Sequence, residues 1–101
     1  MQLSEKKMEL SKKEVEGAVI VSVKGKIDTV AAPDFEKYLL EQIEKSKNSL
    51  IVNMSELFYI TSAGLRAVLA ATKRLNEKEK EILLVALQKT VKDVFKIAGF
   101  H

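Results

Sequence analysis

Two short apolar, β-branched runs, "LIVNM" at 50–54 and "EILLVAL" at 81–87, are separated by a stretch with helical spacing of its apolar residues. Both runs are too short for helices, and their lack of alternation is the pattern of strands covered on both faces. Strand, helix and strand in that order favour parallel pairing through a right-handed crossover. The chain is thereby directed towards an α/β sheet, with "LIVNM" expected at its centre.

The remaining elements follow from period and punctuation. Met8 and Leu10 alternate with polar residues, and "AVIVSVKG" alternates again after the Glu16-Gly17 turn signal. An antiparallel hairpin with strands at about 7–13 and 18–25 is expected. Pro33 suits a first helical turn, Asp34 and Glu36 favour the positive helix end, and Phe35, Leu39 and Ile43 recur on one face. This helix should end near Lys47. The next follows Ser62, with Leu65, Val68, Leu69 and Leu75 inward and Ala67, Ala70 and Ala71 allowing close approach to a sheet, and stops before "NEKEKE". A last short helix in "TVKDVFKIAGF" has Thr90 as N-cap, Val91, Val94, Phe95 and Ala98 inward, and Gly99 at its end. The fold class is α/β, a small mixed β-sheet covered by helices in the order β-β-α-β-α-β-α. A chain of 101 residues, 47% of them hydrophobic, accommodates one core, so residues 1–101 are expected to form a single domain.

Several function classes lose their chemistry at the level of composition. Cysteine is absent and the one histidine is His101, so thiolate metal sites and most Ser-His or Cys-His catalysis lack their groups. No metal or cofactor is expected. The N-terminus is charged, and no run approaches the roughly 20 apolar residues that span a bilayer, which points to a soluble, cytoplasmic protein without membrane contact. The net charge of +3 comes from 15 lysines and two arginines interspersed with acids. That is a solvated surface and not a nucleic-acid stripe, all the more because Phe35, Phe58 and Phe95 read as core.

The stretch "YITSAGLRAVL" at 59–69 sets two hydroxyls and a glycine at a strand-to-helix junction. Ser62 stands at a natural N-cap position, where its oxygen accepts from the N–H of Gly64 or Leu65. Gly64 inside the first turn costs about 0.8–1 kcal/mol relative to alanine. Spacing alone leaves two readings: Ser62 caps and Gly64 allows tight packing, or the glycine keeps a bare surface around a hydroxyl presented on a helix end. A phosphate on Ser62 would meet free N–H groups and the positive helix dipole. Thr61 is a second possible acceptor or a β-branched residue closing the extended segment. Asp28 is a turn or capping carboxylate close to Pro33, or a partner contact. Arg66 is a solvated residue, or a bidentate ligand for a phosphate or an acidic partner.

Over nearly its whole length the chain resembles the STAS-domain family of bacterial anti-sigma-factor antagonists. "VIVSVKGKIDTVAAPDFEKYL" is similar to the family's strand end with its acidic residue and first helix. "LIVNMSELFYITSAGLRAVL" is similar to its central strand and Asp-Ser-Ser/Ala-Gly-Leu switch, and "EILLVALQKTVKDVFKIAGF" to its final strand and helix. The resemblance implies a STAS-like domain in which Ser62 is the phosphorylated serine, with Thr61 the lesser candidate. It implies a partner surface made by Asp28 and Thr29 in the loop after Ile27 together with Thr61, Ser62, Ala63, Gly64 and Arg66. The implied partners are an anti-sigma factor that is also a serine kinase, bound by the unphosphorylated protein so that the sigma factor is released, and a PP2C-type phosphatase that resets the switch. The domain itself would be a monomer or weak dimer and no enzyme. Two positions depart from the motif: Thr61 replaces its Asp, and Asn53 replaces the Asp that often ends the strand, so two carboxylates near the switch are missing. A constitutive STAS adaptor in a transport or sensory assembly is the alternative, and catalysis by Ser62 as nucleophile would lack an internal histidine.

Overall fold

The structure is a computed structural model that describes residues 8–97. Strands β1 (Met8–Val15), β2 (Ala18–Ile27), β3 (Ser49–Ile60) and β4 (Ile82–Val85) alternate with helices α1 (Ala32–Lys45), α2 (Ser62–Glu77) and α3 (Lys89–Ile97) in the expected order β-β-α-β-α-β-α. The sheet order is β1-β2-β3-β4, with β1 antiparallel to β2 and the other pairs parallel, which makes β3 an interior strand. The hairpin turns at Gly17, whose φ of 85° is a conformation that glycine adopts without penalty.

Alternation decides which side chains enter the core. Val19, Val21 and Val23 on β2, and Leu50, Val52 and Met54 on β3, are buried together with Phe35, Leu39 and Ile43 of α1, Leu65, Val68, Ala71 and Leu75 of α2, and Val91 and Phe95 of α3. All three helices thus feed one cluster on one face of the sheet. On the other face Ile20, Ser22, Ile51 and Asn53 are only half-buried, so "LIVNM" is not covered on both sides as its composition predicted. An apolar run records no difference between a face under a helix and a face partly open to water.

Three other expectations change. The run "EILLVAL" is not a buried strand: only Ile82–Val85 pair, at an edge, with Leu83 57% exposed, and the left-handed Ala86 at φ 60° ends the pairing. Leu69 is exposed and not inward. The helix ends shift slightly, α1 stopping at Lys45 and α2 running on to Glu77, and β2 continues to Ile27. Residue 7 of the first expected strand, Ala98 and Gly99 lie outside the described residues.

The segments "LIVNM" and "LFYI" belong to one twelve-residue strand. Between the pairs Ser22–Asn53 and Ile27–Ile60, five steps along β2 match seven along β3, with register shifts on either side of Gly25. Extra residues of this kind bend a strand and re-aim its side chains. Through this stretch, Leu57 and Ile60 face the core, whereas Phe58 and Tyr59 are about half exposed. Phe58, expected in the core, is therefore a surface residue, and the Lys26 ammonium lies 5.8 Å from its ring centroid.

Candidate functional site

The carboxyl ends of the two parallel interior strands, β2 and β3, finish side by side at Ile27 and Ile60. The chain leaves the first into the turn that starts α1 and the second directly into α2, so two strand-to-helix junctions meet at one end of the sheet. Open α/β sheets collect their functional residues at this end because connecting backbone and helix N-termini are exposed there together.

Thr61, and not Ser62, is the N-cap of α2. Its backbone is extended, at φ −98° and ψ 172°, and its Oγ1 accepts from the Gly64 N–H at 3.3 Å. The Leu65 N–H donates to the Thr61 carbonyl at 3.0 Å. The Thr61 hydroxyl in turn donates to the Ile27 carbonyl at 3.2 Å, and the Thr61 N–H donates to the same oxygen at 3.0 Å. Both functions of this hydroxyl are therefore occupied, one within α2 and one across to β2.

Ser62 becomes the first residue of α2, exposed, and its hydroxyl makes no hydrogen bond among the described residues. The N–H groups of Ser62 and Ala63 belong to the first helical turn and have no intrahelical acceptor. The α2 first turn contains no acidic residue. Together these features present a nucleophilic hydroxyl where added negative charge is tolerated by the helix.

Gly64 is buried. A Cβ added there would come within 2.6 Å of Ile60 Cγ1 and 2.9 Å of Ile27 Cγ2, far inside normal contact. The glycine lets α2 sit directly on the ends of β2 and β3, which is the packing reading, and it is buried there instead of baring a surface around the hydroxyl. Ala63 packs partly against the core, and Arg66, one turn after Ser62, is exposed.

On the neighbouring junction, the Asp28 carboxylate accepts from the Ala31 N–H at 2.8 Å while its carbonyl accepts from the Ala32 N–H at 3.0 Å. Asp28 thus shapes the turn into α1, where the methyl side chain of the N-cap residue Ala31 cannot accept a hydrogen bond. Thr29 is exposed beside it, and Val30 is 85% exposed. Val30 in this turn, and Phe58 and Tyr59 near the end of β3, are exposed apolar side chains that composition did not reveal. A Val three residues before Pro33 and two aromatics shortly before a helix read equally well as core.

Asn53 is not near the switch. It pairs with Ser22 and Val85 in mid-strand, and its Oδ1 accepts from the Ser55 N–H at 3.0 Å. The paired β2 segment from Ser22 to Ile27 spans five steps of about 3.3 Å, so Asn53 lies roughly 17 Å from the strand end that precedes Thr61. Only the Thr61 departure affects the site. Thr90 also changes role. It lies inside α3, and its hydroxyl donates to the Phe58 carbonyl at 3.1 Å. With Gln88, which donates to the Ser55 carbonyl at 2.7 Å, it ties the start of α3 to β3.

Residues 9–101 match the STAS domain. The chain belongs to the STAS family. Among its relatives is BtrV of Bordetella bronchiseptica, a candidate anti-sigma factor antagonist, 33% identical over 93 residues that cover 92% of this chain and 80% of the relative. In fold, this STAS domain is similar to an anti-sigma factor antagonist from Mycobacterium paratuberculosis, with a TM-score of 0.81 and 24% identity over 91% of this chain and 78% of the other. It is also similar to the anti-sigma factor antagonist SpoIIAA in its unphosphorylated form, with a TM-score of 0.79 and 20% identity over 90% of this chain and 81% of the other. The Bacillus protein SpoIIAA in its phosphorylated form gives a TM-score of 0.71 at 19% identity, over 90% of this chain and 84% of the other. Among the described residues, no helix of this STAS domain is long and apolar enough to cross a membrane.

Proposed function

We propose that this STAS domain is an anti-sigma factor antagonist whose partner is an anti-sigma factor with serine-kinase activity, and that phosphorylation of Ser62 ends their contact. The observation that carries this reading is the division of labour between adjacent hydroxyls. Thr61 Oγ1 is committed to the cap and to Ile27, and the exposed Ser62 hydroxyl is uncommitted. The partner surface comprises Asp28, Thr29, Ser62, Ala63 and Arg66, with Thr61 and Gly64 setting the position of α2.

The physics of a switch follows from the site. A phosphate brings up to two negative charges, and the first turn of α2 accommodates them. A carboxylate of the partner ~4 Å away would be repelled by about 4 kcal/mol per unit charge at an effective dielectric of 20. Since 1.4 kcal/mol is a factor of ten, one such contact weakens binding about a thousandfold while the fold survives. A PP2C-type phosphatase would restore the binding form.

The direct test is intact-mass measurement after incubation with the cognate kinase and ATP. One phosphate is expected on the wild type and none on Ser62→Ala. An unchanged mass, with a kinase shown to be active on a reference substrate, rules out the switch.

The second reading is a constitutive adaptor, favoured by one observation: Thr61 stands where the switch motif has Asp, so a charge available to a kinase is absent. An adaptor holds its partner equally well with Ser62→Asp, whereas a switch loses it.

A further inference from the structure

The chain has two arginines, and their situations are opposite. The Arg74 guanidinium is forked onto Glu44, with Nε 2.6 Å and Nη2 3.1 Å from its two oxygens, and Nη1 lies 3.2 Å from Glu77. Arg66 is exposed and makes no ion pair or hydrogen bond through its side chain among the described residues.

Its helical neighbourhood explains why. Residues that meet Arg66 along α2 are those three and four positions away, namely Ser62, Ala63, Leu69 and Ala70, and none is acidic. One of the four, Ser62, can acquire negative charge. Ser62 and Arg66 occupy one exposed face a turn apart, with Cβ atoms about 5–6 Å apart in this spacing. Helical side chains slope towards the N-terminus, so Arg66 leans back over the turn that begins with Ser62. A planar guanidinium fork matches two phosphate oxygens at that reach.

We propose that Arg66 is the intramolecular holder of a phosphate on Ser62. The inference builds on Ser62 being the modified residue and adds a second effect to repulsion. Without phosphate, the Arg66 cation is offered to an acidic group of the partner. With phosphate, it is captured within the same helix face. Modification therefore adds a dianion to the surface and withdraws the cation beside it, and both changes act against the same partner.

The test uses the full chain carrying phosphoserine incorporated at position 62 during translation, so no kinase is needed. Titration by phosphorus NMR reads the second ionisation of the phosphate, ordinarily near pH 6. A neighbouring cation favours the dianion, so Arg66→Gln is expected to raise that midpoint by about 0.2–0.4 of a unit relative to the wild type. Other charges at this end, Asp28 in the turn after β2 and Lys26 on β2, are the same in both proteins. Lys73→Gln, farther along the exposed face of α2, should leave the midpoint unchanged. Equal midpoints in wild type and Arg66→Gln overturn the proposal, as does an equal shift in Lys73→Gln, which would mean general charge and not a contact. A kinase that fails to modify Ser62 would defeat the switch and leave this result standing on its own.

Discussion

The carbonyl of Ile27 receives two hydrogen bonds from Thr61, one from its N–H at 3.0 Å and one from its hydroxyl at 3.2 Å. A residue 34 positions away in sequence thereby joins the end of β2 to the start of α2. The same hydroxyl oxygen accepts from Gly64, so the cap of the helix and the joint between two strands are one group.

Thr61→Val removes both side-chain bonds at nearly constant shape. Loss of a Thr N-cap costs about 1 kcal/mol, within a range of roughly 0.5–2. Urea unfolding should show a midpoint lowered accordingly, and Thr61→Ser, which keeps the hydroxyl, should recover most of the difference.

Gly64→Ala sets two effects against each other. Helix propensity favours alanine by about 0.8–1 kcal/mol, whereas overpacking typically costs about 1–3 kcal/mol. The obstructing atoms at 2.6 and 2.9 Å are branch carbons of Ile60 and Ile27, held in the core, and so the clash should win. Net destabilisation in chemical denaturation is expected, and a stabilised variant would contradict the close approach.

Ser62→Glu places a carboxylate on the first residue of α2. Negative charge there is worth about 0.3–1 kcal/mol to a helix. Thermal unfolding should occur at the same or a slightly higher temperature than in the wild type. A marked fall would mean that the fold, and not only a partner, rejects charge at this position.

Val30→Asp tests the apolar part of the same end. With 85% of Val30 exposed, stability should change by no more than about 0.5 kcal/mol. Affinity for the acidic partner surface expected of the switch should fall at least about tenfold, equivalent to 1.4 kcal/mol, by calorimetry. Unchanged affinity would place the interface elsewhere.

At the opposite end, the hydrogen bonds from Arg74 hold the Glu44 carboxyl below the usual carboxylate range. A carboxyl lowered in the folded state contributes stability above its unfolded value and loses that contribution as pH falls through the folded one. The stability gap between wild type and Glu44→Gln should therefore be present at neutral pH and close on acidification through the carboxylate range. The pair lies on the surface, so the gap should also shrink in high salt.

The order of elements was legible because it is carried by local periodicity. Alternation in "AVIVSVKG", the i, i+4, i+8 series of Phe35, Leu39 and Ile43, and the turn at Gly17 each act within a few residues. The stretch "TSAGL" stood out for a similar reason, two capping residues and a glycine at a strand-to-helix junction, but its spacing left capping and packing open beside a site, and only the family resemblance favoured the site. What each residue does there was not legible. Thr and Ser are both competent N-caps, and the choice fell to Thr61 because β2 places the Ile27 carbonyl within reach of its hydroxyl. Gly64 was ambiguous until Ile27 and Ile60 met over it. Phe58 left the core and Asn53 moved away from the switch because β3 runs unbroken through twelve residues and shifts register against β2. Local sequence determined which segments extend and which coil, since those preferences act over one or two turns. Only the tertiary structure decided which hydroxyl is spent and which is free, because that depends on a strand end brought from far along the chain.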